Sequence, residues 1–244
     1  MDVEKKSFES HAQSSRWWSE RYYRSSKPSD MDAFDIMERR RAFEAFTSHV
    51  PYESAVEVGC GTGDNIASCD AEIRHGIDIV PEMIEKARRL HPDVDFFHND
   101  LRAFVPSHQY DLVLALGVIQ YVNQDEAFID KLAELCRAGG HLILSAPNEA
   151  SLFRIWYYRK KGFTSGTAPQ VDKNIPKLVR NLENAGFVET RHRYHSCALP
   201  DCGRKFNGIN MAVNRVITLL SRLCPRAVME RLAYSYIGLF KKMD

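Results

Sequence analysis

From Ser54 onward the chain alternates short apolar runs with stretches of helical period. The runs are "SAVEVG", "IRHGIDIV", "VDFFHND", "YDLVLALGV" and "HLILSAPN". Between them lie a helix through Ile66, the helix "PEMIEKARRLH" and the helix "DEAFIDKLAELCRAGG". Strands that alternate with helices imply βαβ units with right-handed crossovers, and hence a parallel sheet. Before this block, residues 1–50 are polar and aromatic. There Ile36, Arg40, Phe43 and Phe46 suggest a helix that ends near His49-Val50-Pro51. After Asn148 the pattern loosens, then "IPKLVRNLENAGFVETRHRYH" predicts one more helix-Gly-strand unit. A further helical stretch precedes "YSYIGLF", read as the last strand. The expected organisation is an N-terminal helical arm over 1–50 and an α/β domain over 51–244, with 197–232 a helical cap inserted before the last strand.

The first strand runs into "VEVGCGTGD", with Gly59, Gly61 and Gly63 in five positions. Glycine that dense is costly unless the backbone turns tightly or something approaches it closely. A dinucleotide fingerprint wants G-x-G-x-x-G, but Asp64 stands where its last glycine would fall. The spacing therefore argues against a nicotinamide dehydrogenase. Asp78 ends the second strand, near the ~20-residue distance at which an acid binds a ribose diol. A helix N-cap is the competing role. Asp100, after the third strand, is open to two readings: acceptor for an exocyclic adenine amine, or plain turn residue.

Composition narrows the setting. With 44% hydrophobic and 27% charged residues, the chain is an ordinary globular protein. Lys+Arg 33 against Asp+Glu 32 leaves no global field for nucleic acid or an anionic surface. The six cysteines include no C-x-x-C pair, the start "MDVEKK" is charged, and no apolar run is long enough to span a bilayer. These features lead us to expect reduced thiols and a cytoplasmic protein with no bound metal.

Taken in order, "VEVGCGTG", "GIDIVPEMIEKAR", "FFHNDL", "YDLVLALGVIQYV" and "LCRAGGHLILSAPN" resemble the successive motifs of the class I S-adenosylmethionine-dependent methyltransferases. The likeness covers about residues 52–195. It is nearest to the small-molecule group that includes the ubiquinone-biosynthesis O-methyltransferases. The resemblance implies a Rossmann-like, seven-stranded, mostly parallel sheet with the last strand antiparallel and helices on both faces, and S-adenosylmethionine as cofactor. It places Gly59, Cys60, Gly61 and Gly63 around the cofactor's methionine part, Glu57 near its amino group and Asp78 on its ribose. Ile79 and Met83 would flank the adenine, with Asp100 and Leu101 at its edge. Leu116 and Gly117 would face the methionine side.

A base is harder to find. Where those relatives commonly carry Glu-His after the fourth strand, this chain has Gln120-Tyr121. Methyl transfer from a sulfonium relies largely on positioning, so Tyr121 is either a substrate-orienting residue or a core tyrosine. His192, His195, Cys197 and Cys202 lack zinc spacing, and His195 or His192 is a candidate base at the exit of its strand. Trp17, Trp18, Tyr22 and Tyr23 on the arm, with Trp18, Tyr22, Gln120 and Tyr121 as candidate substrate contacts, either line the acceptor pocket or pack the arm. In the cap, Ile209, Val213, Val216, Leu220 and Leu223 share a face expected to pack on the core, with membrane-surface attachment less favoured. The overall expectation is methyl transfer to a hydroxyl of a small molecule. The alternative is a cofactor-binding partner protein without turnover.

Overall fold

In the computed structural model, the described residues are 30–122, 124–152, 155, 172–196, 212, 216, 219 and 223–244. Helix α1 spans Asp30–Thr47, followed by β1 (Ser54–Val58), α2 (Asp64–Ala67), β2 (Ile73–Asp78) and α3 (Pro81–Leu90). Then come β3 (Asp95–His98), β4 (Tyr110–Leu116), a 3-10 turn (Ile119–Tyr121), α4 (Asp125–Leu135) and β5 (Cys136–Pro147). The chain finishes with α5 (Ile175–Asn184), β6 (Phe187–His195), α6 (Arg226–Leu232) and β7 (Ser235–Lys242).

The seven strands lie in the order β3-β2-β1-β4-β5-β7-β6. β1, β2, β3, β4 and β5 pair in parallel, whereas β7 runs antiparallel between β5 and β6. A central parallel strand is covered on both faces, which is why β1 is buried at every position and Leu112–Leu116 of β4 is wholly buried. Two apolar layers sandwich the sheet, one centred on α4 and α5, the other on α1, α2 and α3. Helix α5 shows how such a layer forms. Asn174 caps it by accepting the Lys177 amide at 3.0 Å, proline sits in its first turn, and Ile175, Leu178, Val179 and Leu182 fall on one buried face.

Three expectations change. The helix read through "CRAGG" stops at Leu135, because β5 begins at Cys136 and Gly139 takes a φ of 72° that breaks helical geometry. Helix α1 buries Ala42, Phe43 and Phe46 but leaves Ile36 and Arg40 exposed, so its inward face is rotated from the one expected. In the cap, Val216 and Leu223 are 56% and 84% exposed rather than packed on the core. The arm cluster Trp17, Trp18, Tyr22 and Tyr23 lies outside the described residues, as do Ile209, Val213 and Leu220.

At the carboxyl end of β5 the two long connections share one fastening. Lys173 forms a parallel bridge with Asn148, its amide bonding Pro147 O at 2.9 Å. The Lys173 ammonium, almost fully buried, donates to Val122 O at 3.1 Å and Asp125 Oδ1 at 2.5 Å. The Asn148 amide group donates to Glu230 O at 2.6 Å and Ala233 O at 2.9 Å. A buried lysine without such partners would be strongly destabilising. Here every bond it makes ties strand-end segments together.

Candidate functional site

The carboxyl ends of β1, β2, β3, β4, β5 and β6 all fall at one edge of the sheet, and the polar residues singled out above converge there. Just past β1, Gly59, Gly61 and Gly63 have φ of 67°, 54° and 82°, values L side chains rarely adopt. The turn is pinned to β2 by the Gly59 and Cys60 amides, which both donate to Ile77 O. A Cβ on Gly59 would come within 2.8 Å of Val118, and one on Gly63 within 2.5 Å of Phe96. On Gly61 it would meet nothing within 4 Å. The middle glycine therefore opens onto free space while its neighbours are packed, so the turn has room for a ligand at Gly61.

Two carboxylates flank that opening. Asp78, at the end of β2, accepts the Gly61 amide at 2.8 Å on one oxygen and the Val80 amide at 2.9 Å on the other. Each oxygen keeps a second lone pair for an incoming hydroxyl. Burial raises its pKa against the opposing pull of those amide bonds. The N-cap of α3 is Val80, with no side-chain cap bond, so the Asp78–Val80 bond orders the turn before the helix and Asp78 is not its N-cap. Glu57 is 1% exposed inside β1. It accepts from the Asn65 side-chain amide at 2.8 Å and the Ile66 amide at 3.2 Å, and burial pushes its carboxyl up to about 8.

The remaining candidate residues spread around this edge. Ile79, whose carbonyl bonds His98, and buried Met83 stand at the start of α3 beside Asp78. Asp100 is clasped by Arg102, whose guanidinium reaches it at 2.8 Å, and Leu101 packs on the core. Cys60 and Leu116 are buried, and burial holds the Cys60 thiol well above its ordinary value, so it stays protonated. Gln120 is buried on the 3-10 turn, its carbonyl oxygen unpartnered among the described residues, with half-buried Tyr121 next to it. His192 points instead into a cluster with Glu189 and Tyr236 within the sheet. Among the described residues no group of metal-binding side chains occurs, and Cys197 and Cys202 lie outside them.

Sequence reasoning missed a charged line contributed by α1. Ser196, at the exit of β6 with a φ of 60°, donates to Asp35 Oδ1 at 2.7 Å. His195 Nδ1 lies 3.0 Å from Ser196 Oγ and 3.4 Å from Asp35. Burial lowers the His195 pKa and keeps the ring neutral. Although burial opposes it, the Arg39 charge and bonds from Ser196 and Ser235 hold the Asp35 carboxyl below its usual range. One turn along, Arg39 lies directly over Gly117, where any Cβ would strike its guanidinium, and its charge also acts on Glu57. Nothing in the local pattern near residue 39 signals this, since apart from Asp35 its neighbours Glu57, Gly117 and His195 are some 20 to 160 positions away. The arginine run "ERRRAF" was the only available hint.

The comparisons fit this geometry. A family model described as "Methyltransferase domain" matches residues 56–142, from the middle of β1 into β5. Over that span the chain is similar to a methyltransferase domain. Among curated proteins, the trans-aconitate 2-methyltransferase of Azoarcus sp. strain BH72 is 32% identical over 118 residues, 45% of this chain and 46% of that protein. The match thus spans about half the length of that curated relative. Among solved structures, the N-methyltransferase NodS of Bradyrhizobium japonicum WM9 in complex with S-adenosyl-L-homocysteine aligns over 96% of this chain and 99% of its own, with TM-score 0.61 and 16% identity. The [4+2]-cyclase SpnF aligns with TM-score 0.53 over 84% of this chain and 81% of its own at 16% identity. Members of one fold thus carry different reactions in their names, and the residues at the edge must decide.

Proposed function

We propose that this chain binds S-adenosylmethionine at the glycine turn and transfers its methyl group to a hydroxyl of a small-molecule acceptor. The observation that carries the reading is the opening at Gly61 between two acids, Glu57 and Asp78, with Arg39 across from them over Gly117. The cofactor presents an amino-acid zwitterion at one end and a ribose diol at the other. Glu57 suits the ammonium, Arg39 the carboxylate, and Asp78 the diol. Ile79, Met83, Asp100 and Leu101 then take the adenine side. When bound, S-adenosylmethionine supplies an activated methyl, so the chain's remaining task is to hold the acceptor in line and keep water away.

Gln120, Tyr121 and His195 stand on the acceptor half of the edge. His195 is a base candidate because Asp35 and Ser196 occupy Nδ1, and Nε2 has no partner among the described residues. Such a neutral acceptor nitrogen suits a hydroxyl nucleophile better than a carboxylate, which carries no proton to give up at neutral pH.

S-adenosylhomocysteine should raise the thermal midpoint of the purified chain in a concentration-dependent way, and NADH should not. A larger rise with NADH would remove the reading. Radiolabelled S-adenosylmethionine incubated with cell extract should then label a small molecule. Tight binding without any labelled product would favour the partner-protein alternative.

Arg39→Ala is expected to weaken S-adenosylhomocysteine binding by on the order of tenfold, the loss of one charge-assisted contact at a partly exposed site. Calorimetry checks this. An unchanged affinity would show that Arg39 serves only to tie α1 to the sheet.

A further inference from the structure

We infer that Asp35 on α1 and Ser196 past the end of β6 are positioning residues, which hold the His195 ring with its proton on Nδ1 and its Nε2 lone pair free for a hydroxyl of the acceptor. The inference rests on the reading of His195 as a base given above and adds the two residues that make it one. Hydrogen accounting decides the tautomer. A serine hydroxyl has one hydrogen to donate. Ser196 gives it to Asp35 Oδ1 at 2.7 Å. Asp35 is a carboxylate with none to return, because the Arg39 charge and the serine bonds hold it ionised against burial. The 3.0 Å contact between Ser196 Oγ and His195 Nδ1 is then a hydrogen bond only if Nδ1 donates. Asp35 Oδ1, 3.4 Å from the same nitrogen, draws that proton as well. In a neutral imidazole a proton on Nδ1 leaves Nε2 as an acceptor.

A histidine that only tied α1 to the sheet would satisfy both ring nitrogens, since a buried polar atom left unpaired is costly. His195 does not. Its side chain is 0% exposed, so bulk water does not reach Nε2, and that atom has no partner among the described residues. The backbone at this place is also strained. Ser196, with its φ of 60°, is the one non-glycine residue with a positive φ among the described residues. The entry to β7 enforces this turn, with the Tyr234 amide donating to Ser196 O at 3.2 Å. Conformations held in this way gather at functional sites. Asp35 and Arg39 stand one turn apart on α1, roughly 5–6 Å between Cβ atoms. Because Arg39 lies over Gly117, the helix that fixes the ring also sets it beside the end of β4. An acceptor reaches the closed-off Nε2 by a local opening of this edge, and reclosure then excludes water.

The proton has a complete path. As the hydroxyl oxygen bonds the methyl carbon, the carbon–sulfur electron pair stays on sulfur and the O–H proton passes to Nε2. His195 is then an imidazolium with a hydrogen on each nitrogen, and it returns to neutral by releasing the Nε2 proton to water. Burial, Arg39 and Arg193 oppose that charge, whereas Asp35 and Glu38 favour it. Asp35 thus orients the ring and offsets its charge without taking the proton itself.

Long-range proton–nitrogen correlation spectra of the isotope-labelled full chain at pH 7 read which ring nitrogen is protonated, with the His195 signals assigned by their loss in His195→Asn. The wild type should show Nδ1–H alone. The double variant D35A/S196A leaves Nδ1 without a partner and should move the proton to Nε2. Asp35→Ala, a milder change, frees the Ser196 hydrogen to turn toward Nδ1 and should populate Nε2–H as well, so either variant decides. With radiolabelled S-adenosylmethionine and cell extract, the double variant should label its product about a hundredfold or more slowly, the low end of what a general base contributes. Its calorimetric affinity for S-adenosylhomocysteine should fall far less. Nε2–H in the wild type, Nδ1–H alone in a folded variant that lacks Asp35, or wild-type labelling by the double variant overturns the proposal. Nδ1–H in the wild type with no labelled product would remove the methyl-transfer reading and leave the positioning of the ring standing. Labelled product with Nε2–H in the wild type would do the reverse.

Discussion

Glu57→Gln is expected to bind S-adenosylhomocysteine more than about a hundredfold more weakly than the wild-type chain, while melting at a higher temperature than wild type at pH 8. The affinity loss follows from removing the buried acid that we propose as the partner of the ligand's ammonium. Breaking one partner of such a pair costs about 3 kcal/mol or more. The stability gain follows from the sign of the carboxyl's shift. Burial raises Glu57 from 4.5 to about 8 in the folded chain. Between those values the folded state holds a proton that the unfolded state has released, so stability falls as pH rises through this window. Below about 4.5 no such loss exists, and above about 8 it is complete. A glutamine never ionises, so the melting temperature of the variant relative to wild type should rise from pH 5 to pH 8. Ligand binding by the wild type at pH 6–7 should release a proton, seen as a calorimetric heat that depends on the buffer's ionisation enthalpy. The variant should show no such dependence. Equal pH profiles for the two proteins would refute the assignment of Glu57 as a protonated buried acid.

Asp78→Ala should weaken the same ligand by about 1.5–3 kcal/mol, roughly ten- to a hundredfold, with a folded but less stable protein. Two contributions add. The ribose loses its acceptor, and the Gly61 and Val80 amides lose theirs, so the turn is no longer held in its open form. Asp78→Asn separates them. An amide oxygen can still accept one of the two backbone bonds, which restores part of the stability, but it lacks the charge for the diol. Calorimetry and thermal melting of both variants therefore test two roles in one experiment. Unchanged affinity in a folded Asp78→Ala protein would reduce Asp78 to a residue that only holds the two turns at Gly61 and Val80.

Much of the cofactor half was legible because its signals are local. Gly59, Gly61 and Gly63 stand out since only glycine takes their φ values cheaply, and Asp78 stands out because a carboxylate at a strand's end has few reasons to be there. Glu57 came only with the family resemblance. The contribution of α1 was not legible in the same way. Arg39 and Asp35 act on Gly117 and Ser196 across the fold, and no periodicity in α1 records those partners. The start of β5 at Cys136 escaped because "LAELC" keeps helical period up to the strand itself, so only pairing with Tyr110 ends the helix. That the last strand is antiparallel followed from the family resemblance alone, and its place between β5 and β6 was not read in the sequence. Strand order is a long-range property that alternation does not encode.

The fastening at Asn148 and Lys173 makes the sequence between them exchangeable. Both ends of 149–172 are held within hydrogen-bonding distance of each other by the frame, as is the end of 197–234 through Glu230 and Ala233. For a loop whose closure is already enforced, doubling its length adds only about 0.6 kcal/mol of entropy cost. These inserts can thus be lengthened, shortened or replaced without disturbing the glycine turn two strands away along the same edge. A graft of 149–172 from a relative should fold as long as Asn148, Lys173 and Asp125 are kept. The fold is built like a socket with interchangeable heads, in which new acceptors can be tried at almost no thermodynamic risk to the cofactor half.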